Sequence, residues 1–400
     1  MRASISLLLV VVLLLAGCGG SDEGETGASA SEVASGSGYI DWPLFGRVPQ
    51  RTHYLATKGR TLDPPLKQAW SINTHALIEF PPAIHDGVAY VINKYGNGKA
   101  VRLSDRKILW ELNIRPSDKG VPNFVTAPVY YEGRVFGAFL TGHLAAGDAA
   151  TGKKDWVRKF DAHLESSPLA VDGTLYLGTD TTNLYALRAS DGRTRWSFNA
   201  PGAIKASPSY DDGKVFFADY QSSVFALDAK SGKPVWRSNT SKVPPFGQGG
   251  FFSSPAVAFG RVYVGRDDGT VYALDEKTGK VEWHFDAGAA VYGSPAVARV
   301  PDTPPTVYIG AENGRFFALD ARTGKVRWQK DIGGPIPGTA VVIGHTVYTS
   351  SFKTQVTSGF DVSTHKRTFH IKQAGYTPMI SDGKRVYLVG YYDLIGLEPR

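Results

Sequence analysis

Five residues that each stand three positions before a proline are the first in this 400-residue chain that could do chemistry: Glu79, Glu165, Lys205, Phe252 and Tyr292. They are two carboxylates, an ammonium and two rings, set at one recurring place in a periodic pattern. If the period closes into a ring, they meet at the mouth of its central channel, where such a mixture suits a bound ligand or a partner's side chain. A second recurring position holds Asp180, Asp267, Glu312 and Asp393. These follow a strand and are expected to build turns rather than a ring of carboxylates. The nine histidines include no pair at ligand spacing, so no metal site is expected. No nucleophile elbow or phosphate loop stands out, and no residue is given a catalytic role.

The elements that must hold these side chains repeat. Residues 226–236 read Ala-Leu-Asp-Ala-Lys-Ser-Gly-Lys-Pro-Val-Trp, and the unit returns with small changes through the chain. Its aromatic falls at 110, 156, 196, 236, 283, 328 and 369, each time ten residues after a small residue, in steps of 40 to 47. Gly supplies a positive φ for a tight turn, and Asp with Ser or Thr bonds the nearby backbone. The period is that of a propeller blade, and each period holds four strand signals. Seven blades are complete. The chain ends three strands beyond Phe369, and residues 66–72, with Trp70, supply the missing fourth strand. The fold class is therefore all-β: an eight-bladed propeller of four-stranded antiparallel blades over residues 39–400, its last blade closed by the N-terminal strand 66–72. Trp70, Trp110, Trp156, Trp196, Trp236, Trp283 and Trp328 are the expected docking residues. Residues 41–52 carry no blade pattern and are expected to clasp the ring, with Trp42 mattering less to stability than Trp70.

The first residues read as a leader. Arg2 precedes an apolar run, residues 5–15, too short to span a bilayer as a mature helix, and Leu15-Ala-Gly-Cys18 looks like a bacterial lipobox. Residues 1–17 are then a signal peptide, Cys18 carries diacylglycerol and a further acyl chain, and residues 18–38 form a Gly/Ser-rich tether. Cys18 is the sole cysteine, so the body holds no disulfide and no thiolate metal site. Formal charge is +7, and about +10 without leader and tether. No basic run resembles a nucleic-acid arm, which argues against nucleic acid. The link around residues 244–252 is apolar, and Phe246 and Phe251 are its candidate interaction residues.

The pattern Ala-x-Asp-x-x-Thr-Gly-Lys-x-x-Trp resembles the tryptophan docking motif of the pyrroloquinoline quinone (PQQ)-type propeller repeat family. The resemblance implies eight blades with tryptophans wedged between neighbours. One branch of that family, the quinoprotein dehydrogenases, binds PQQ and Ca²⁺ and typically sets a disulfide of adjacent cysteines against the cofactor. The body here has no cysteine. The other branch is non-catalytic and includes the BamB lipoprotein of the outer-membrane β-barrel assembly machine. The expectation on this basis is a lipid-anchored, non-enzymatic propeller without cofactor, extracytoplasmic in the cell envelope and monomeric, offering rim and mouth to envelope proteins. The alternatives are a reduced quinoprotein oxidising an alcohol or sugar, and a glycan-binding module that stacks sugars on Tyr292, Phe252 and Phe246.

Overall fold

The computed structural model describes residues 38–113, 125–243, 247–373, 379–390 and 392–400. The leader, Cys18, the tether and Phe246 lie outside them. Eight antiparallel four-stranded blades follow one another round a ring, numbered in chain order from blade 1 at residues 83–113. The last is shared between the termini: Leu66–Asn73 pairs with Asp393–Pro399, Gln68 opposite Leu397 and Ile72 opposite Leu394. Closure leaves the sheet series without a free end.

The ten-residue spacing between small residue and aromatic is a strand pairing. Ala146 faces Trp156, Ala226 faces Trp236 and Ala273 faces Trp283 across their hairpins, with a register shift just beyond the alanine. The ring lies over the small residue, so a larger side chain has no room. At Gly396, opposite Trp70, an added Cβ would stand 2.3 Å from the indole. The turn glycine has the same constraint from the neighbouring blade. Gly232 sits at φ +71°, and a Cβ there would lie 2.6 Å from the Trp196 ring. Trp196 Nε1 donates to Ala229 O at 3.0 Å. Trp110, Trp156, Trp236 and Trp283 make the same bond to the next blade. Each of these five seams is thus an indole on a bare glycine, fixed by one hydrogen bond.

Around the axis a belt of hydroxyls joins the inner strands. The residue before each inner-strand proline donates its N–H to a hydroxyl of the following blade: Ala127 to Ser167, Ser167 to Ser207, Ser207 to Ser254, Ser254 to Ser294 and Ser294 to Thr339, at 2.9–3.1 Å. Between blades 1 and 2 the belt stops for a chemical reason. The equivalent residues are Pro81, which has no N–H, and Ala127, which has no hydroxyl.

Residues 40–55 do more than clasp. They run beneath the ring and bond blade after blade. Ile40 N donates to Asp382 O, and Trp42 exchanges two bonds with Ile84. Pro43 O, Pro49 O, Gln50 O, Thr52 O and His53 O each accept from an inner strand of blades 2, 4, 5, 6 and 7. Tyr54–Leu55 adds a strand parallel to Val341–Ile343, making the blade 7 sheet five-stranded. Blade 3 is reached by a side chain: the fully buried Arg51 donates to Ser167 O, Pro168 O, Pro208 O and Phe45 O. Gly46, at φ +91°, permits this turn, since a Cβ there would meet Arg51 Cα at 2.7 Å. Trp42 is 1% exposed and Trp70 only half-buried, which reverses their expected ranking. The segment is integral to the floor of the ring, and Trp42 packs inside the core there.

Candidate functional site at the channel mouth

Each inner strand begins at the mouth and runs down to the floor, so a residue three before its proline sits at the rim of the axial opening. The structure links all five of the side chains read from that position. Lys205 Nζ pairs with Glu165 Oε1 at 3.1 Å and stands 5.2 Å from the centre of the Phe252 ring. Phe252 meets Tyr292 edge to face at 5.3 Å. Glu79 lies within the field of Glu165, and burial first, then that charge, lifts its carboxyl to about 7. Glu79 Oε2 is buried and has no hydrogen-bond partner among the described residues. A carboxylate so placed is poised to exchange a proton near neutral pH.

Sequence reasoning missed Tyr220. Its ring packs edge to face on Phe252 at 5.0 Å and shares the Lys205 ammonium at 5.4 Å. The signal was present: Tyr220 occupies in blade 4 the position that Asp180, Asp267 and Glu312 hold in theirs. All four donate their backbone N–H to the preceding link, at His163, Ala203, Gly250 and Ala290. The carboxylates mostly serve those links. Asp180 accepts from His163 N at 2.8 Å and Asp267 from Gly250 N at 2.9 Å, while Asp393 accepts from the Asn73 amide. Glu312 keeps a buried Oε1 without a partner among the described residues, and burial raises its pKa.

One expectation about the link that ends at Phe252 changes. Phe251 is not at the surface: it is 0% exposed, packed with Tyr272 at 6.3 Å in the core between blades 4 and 5. A ring buried in that cluster cannot serve as the interaction residue expected of it. The end of the link is latched by Ser222, which exchanges bonds with Gly249 in both directions at 2.9 Å. Beneath it the fully buried Arg266 pairs with Asp268 and donates to Thr240 Oγ1 at 2.9 Å. This framework sets the position of Phe252.

The fold and docking pattern define an eight-bladed propeller of the PQQ-type repeat class. The chain belongs to the PQQ_2 family, described as outer membrane protein assembly factor BamB, whose profile matches residues 67–198, 141–248 and 201–395. The family is envelope-associated. Among solved structures the chain is similar to BamB from Moraxella catarrhalis, with TM-score 0.69 and 17% identity over 84% of this chain and 98% of that one. It is also similar to the quinohemoprotein alcohol dehydrogenase from Comamonas testosteroni, with TM-score 0.76 and 15% identity over 93% and 81%. At such identities the likeness is one of fold. A curated relative, the dehydrogenase subunit of the quinone-type alcohol dehydrogenase of Komagataeibacter europaeus, is 35% identical over 145 residues. The match covers 34% of this chain and 20% of the relative, so the chain spans about a fifth of that protein. These relatives correct the expectation of a non-enzymatic protein: the curated proteins that match are dehydrogenase subunits.

The mouth fits the two parts of a quinoprotein cofactor unequally. Lys205 offers a cation to an acidic quinone, Phe252, Tyr220 and Tyr292 offer ring surface, and Glu79 offers an unpartnered oxygen. The metal ion does not fit in the same way. Among the described residues no three His, Cys, Asp or Glu side chains are grouped to hold one. No described helix is long and apolar enough to cross a membrane.

Proposed function

We propose that this propeller is a quinone-dependent oxidoreductase of the alcohol dehydrogenase type, acting on an alcohol or sugar at the channel mouth. Glu79 carries the reading: a carboxyl lifted to about 7 by burial and by the charge of Glu165, with one buried oxygen that has no hydrogen-bond partner among the described residues. Oxidation of an alcohol to a carbonyl removes two electrons and two protons. Glu79 takes the hydroxyl proton, its raised pKa matching the acceptor to neutral pH. Lys205, held by Glu165, would hold the acid groups of the quinone, with Phe252 and Tyr292 offering ring surface beside it. A bound quinone would supply the acceptor for both electrons and for the second hydrogen, the one lost from carbon.

The test adds PQQ, with and without Ca²⁺, to the purified protein and follows dye-linked oxidation of primary alcohols and aldoses. Cofactor-dependent turnover is expected, with Glu79→Gln lowering kcat by about 10²–10⁴ and Lys205→Ala weakening PQQ binding. Absence of both turnover and quenching of tryptophan fluorescence by PQQ would overturn the proposal.

We further propose that Cys18 carries a lipid that holds the protein to a membrane on its extracytoplasmic side, with residues 19–38 as tether. The Leu15-Ala-Gly-Cys18 sequence supports this. Fractionation of Cys18→Ser tests it: the protein should leave the mature membrane-bound pool.

A further inference from the structure

Repetition makes each seam of the ring a control for the others, and the seam between blades 6 and 7 breaks the rule. Where five neighbouring seams set an indole on a glycine, this one places His365 beneath Trp328. His365 holds φ +58°, a left-handed conformation unfavourable for an L residue and retained here although glycine serves elsewhere. Arg106 stands at the equivalent position of the turn between Asn97–Arg102 and Ile108–Asn113, at φ +64°. The imidazole and indole centres lie 5.4 Å apart at 32°. Trp328 Nε1 makes no hydrogen bond among the described residues, unlike the five regular indoles. The turn itself is intact, with His365 N donating to Asp361 O at 2.8 Å. The histidine therefore changes the seam without changing the hairpin.

Beside it lies an open groove of about 900 Å³ along the outer strands. Lys330, His365, Lys366, Arg367 and His370 line it, with Ser358 deeper in. Among the described residues none of Lys330, Lys366 and Arg367 is in a salt bridge. The one carboxylate in the lining is Asp331, whose Oδ1 already accepts from Gly333 N at 2.8 Å. Asp361, at the root of the turn, is taken up by Arg60 at 2.7 Å. The groove thus presents three cations, two imidazoles and the hydroxyls of Thr354, Ser358 and Thr364 against a single carboxylate. Such a set suits a multidentate oxyanion.

We infer that the groove between blades 6 and 7 is a binding site for a phosphate group, carried by a small phosphate ester or by an anionic lipid headgroup. It is remote from the mouth and independent of the chemistry assigned there. His365 acts as one donor and, by standing in for glycine, holds the seam open.

Phosphate binding is measured on the full chain by calorimetry and by the imidazole proton signals of His365 and His370. The probes are inorganic phosphate, glycerol phosphate, and phosphatidylcholine vesicles with or without phosphatidylglycerol. Binding of the soluble probes supports a free ester. Binding confined to phosphatidylglycerol vesicles supports a lipid source for the same chemistry. The double variant Lys330→Ala/Arg367→Ala should weaken either by at least about tenfold. His365→Gly should also weaken binding while leaving the melting temperature equal or higher, because the regular docking returns. Failure of every probe to bind, or equal affinity in both variants and parent, overturns the inference. Dye-linked turnover should be the same in these variants as in the parent, which keeps this test separate from that of the mouth.

Discussion

Replacing Glu79 by Gln isolates the energetic cost of the buried carboxylate from its shape. The Glu79 pKa moves from 4.5 to about 7 in the folded protein, because burial removes water from the charge and Glu165 repels it. A group raised in this way contributes stability that is fully present below pH 4.5 and lost as pH climbs through 7. At pH 8 the ionised side chain therefore costs the fold up to roughly 3 kcal/mol, since each tenfold change in proton affinity is worth about 1.4 kcal/mol. Gln is neutral at every pH and nearly isosteric, so it removes that cost at pH 8 and changes little at pH 4.5, where Glu79 is itself protonated. For a chain of this size a kcal/mol moves the midpoint by on the order of 1–2 °C. Glu79→Gln should thus melt about 3–6 °C above the parent at pH 8 and together with it at pH 4.5. Scanning calorimetry at a series of pH values reads the gap. Glu165→Gln is the contrast: it strands Lys205, whose ion pair is lost, and should not stabilise at pH 8. A gap of the same size at both pH values, or a Glu79→Gln variant less stable than the parent at pH 8, would refute the reasoning. The carboxylate would then have a partner, and its role as proton acceptor would fall with its raised pKa.

Three further outcomes follow from packing. Gly232→Ala drives a methyl into the Trp196 ring at φ +71° and should cost about 2–4 kcal/mol, read as a lower urea midpoint at unchanged m-value. Trp42→Ala should cost about 3–5 kcal/mol and Trp70→Ala less, since Trp42 is enclosed and Trp70 half-exposed; equal midpoints would contradict the burial. His53→Phe should raise the melting temperature. Burial lowers the His53 pKa to about 3, and both ring nitrogens lack partners among the described residues, so a ring without polar atoms relieves about 1–3 kcal/mol of desolvation.

What the sequence revealed and what it hid divide along periodicity. Ala226 and Trp236 could be read together because their pairing recurs in every hairpin, and the shared blade was legible because residues 66–72 complete that same unit. The five mouth residues were found from one recurring position, and their junction through Lys205 and Phe252 follows from closure of the ring. Residues 40–55 bond to the blades mainly through backbone groups, which leave no mark in side-chain type, so their reach round the floor was hidden. Phe251 misled for a related reason. An apolar residue in a long link looks exposed until its ring is found between two blades. The enzymatic relationship was misjudged because the missing cysteines were taken to decide function, whereas a fold of this class carries several functions on one scaffold.

Arg51 explains why the mouth can be shaped while the floor is fixed. A buried guanidinium is expensive unless its donors are used, and here they meet four carbonyls, from Phe45, Ser167, Pro168 and Pro208. Burial lowers its pKa to about 9, still above neutrality, so the charge persists inside the ring. Among the described residues no carboxylate partners it. The cation therefore binds the backbone of blades 3 and 4 to the segment beneath them, and the hydroxyl belt carries the constraint on from Ser167 to Thr339. Inner strands tied at the floor leave variation to the other end, where the links between blades emerge. There Lys205, Tyr220, Phe252 and Tyr292 hold one another through ring contacts and cation–π attraction, on strands that cannot splay. A site of this kind is preorganised by what lies below it, and its specificity is set by which side chains the repeat places at that one position.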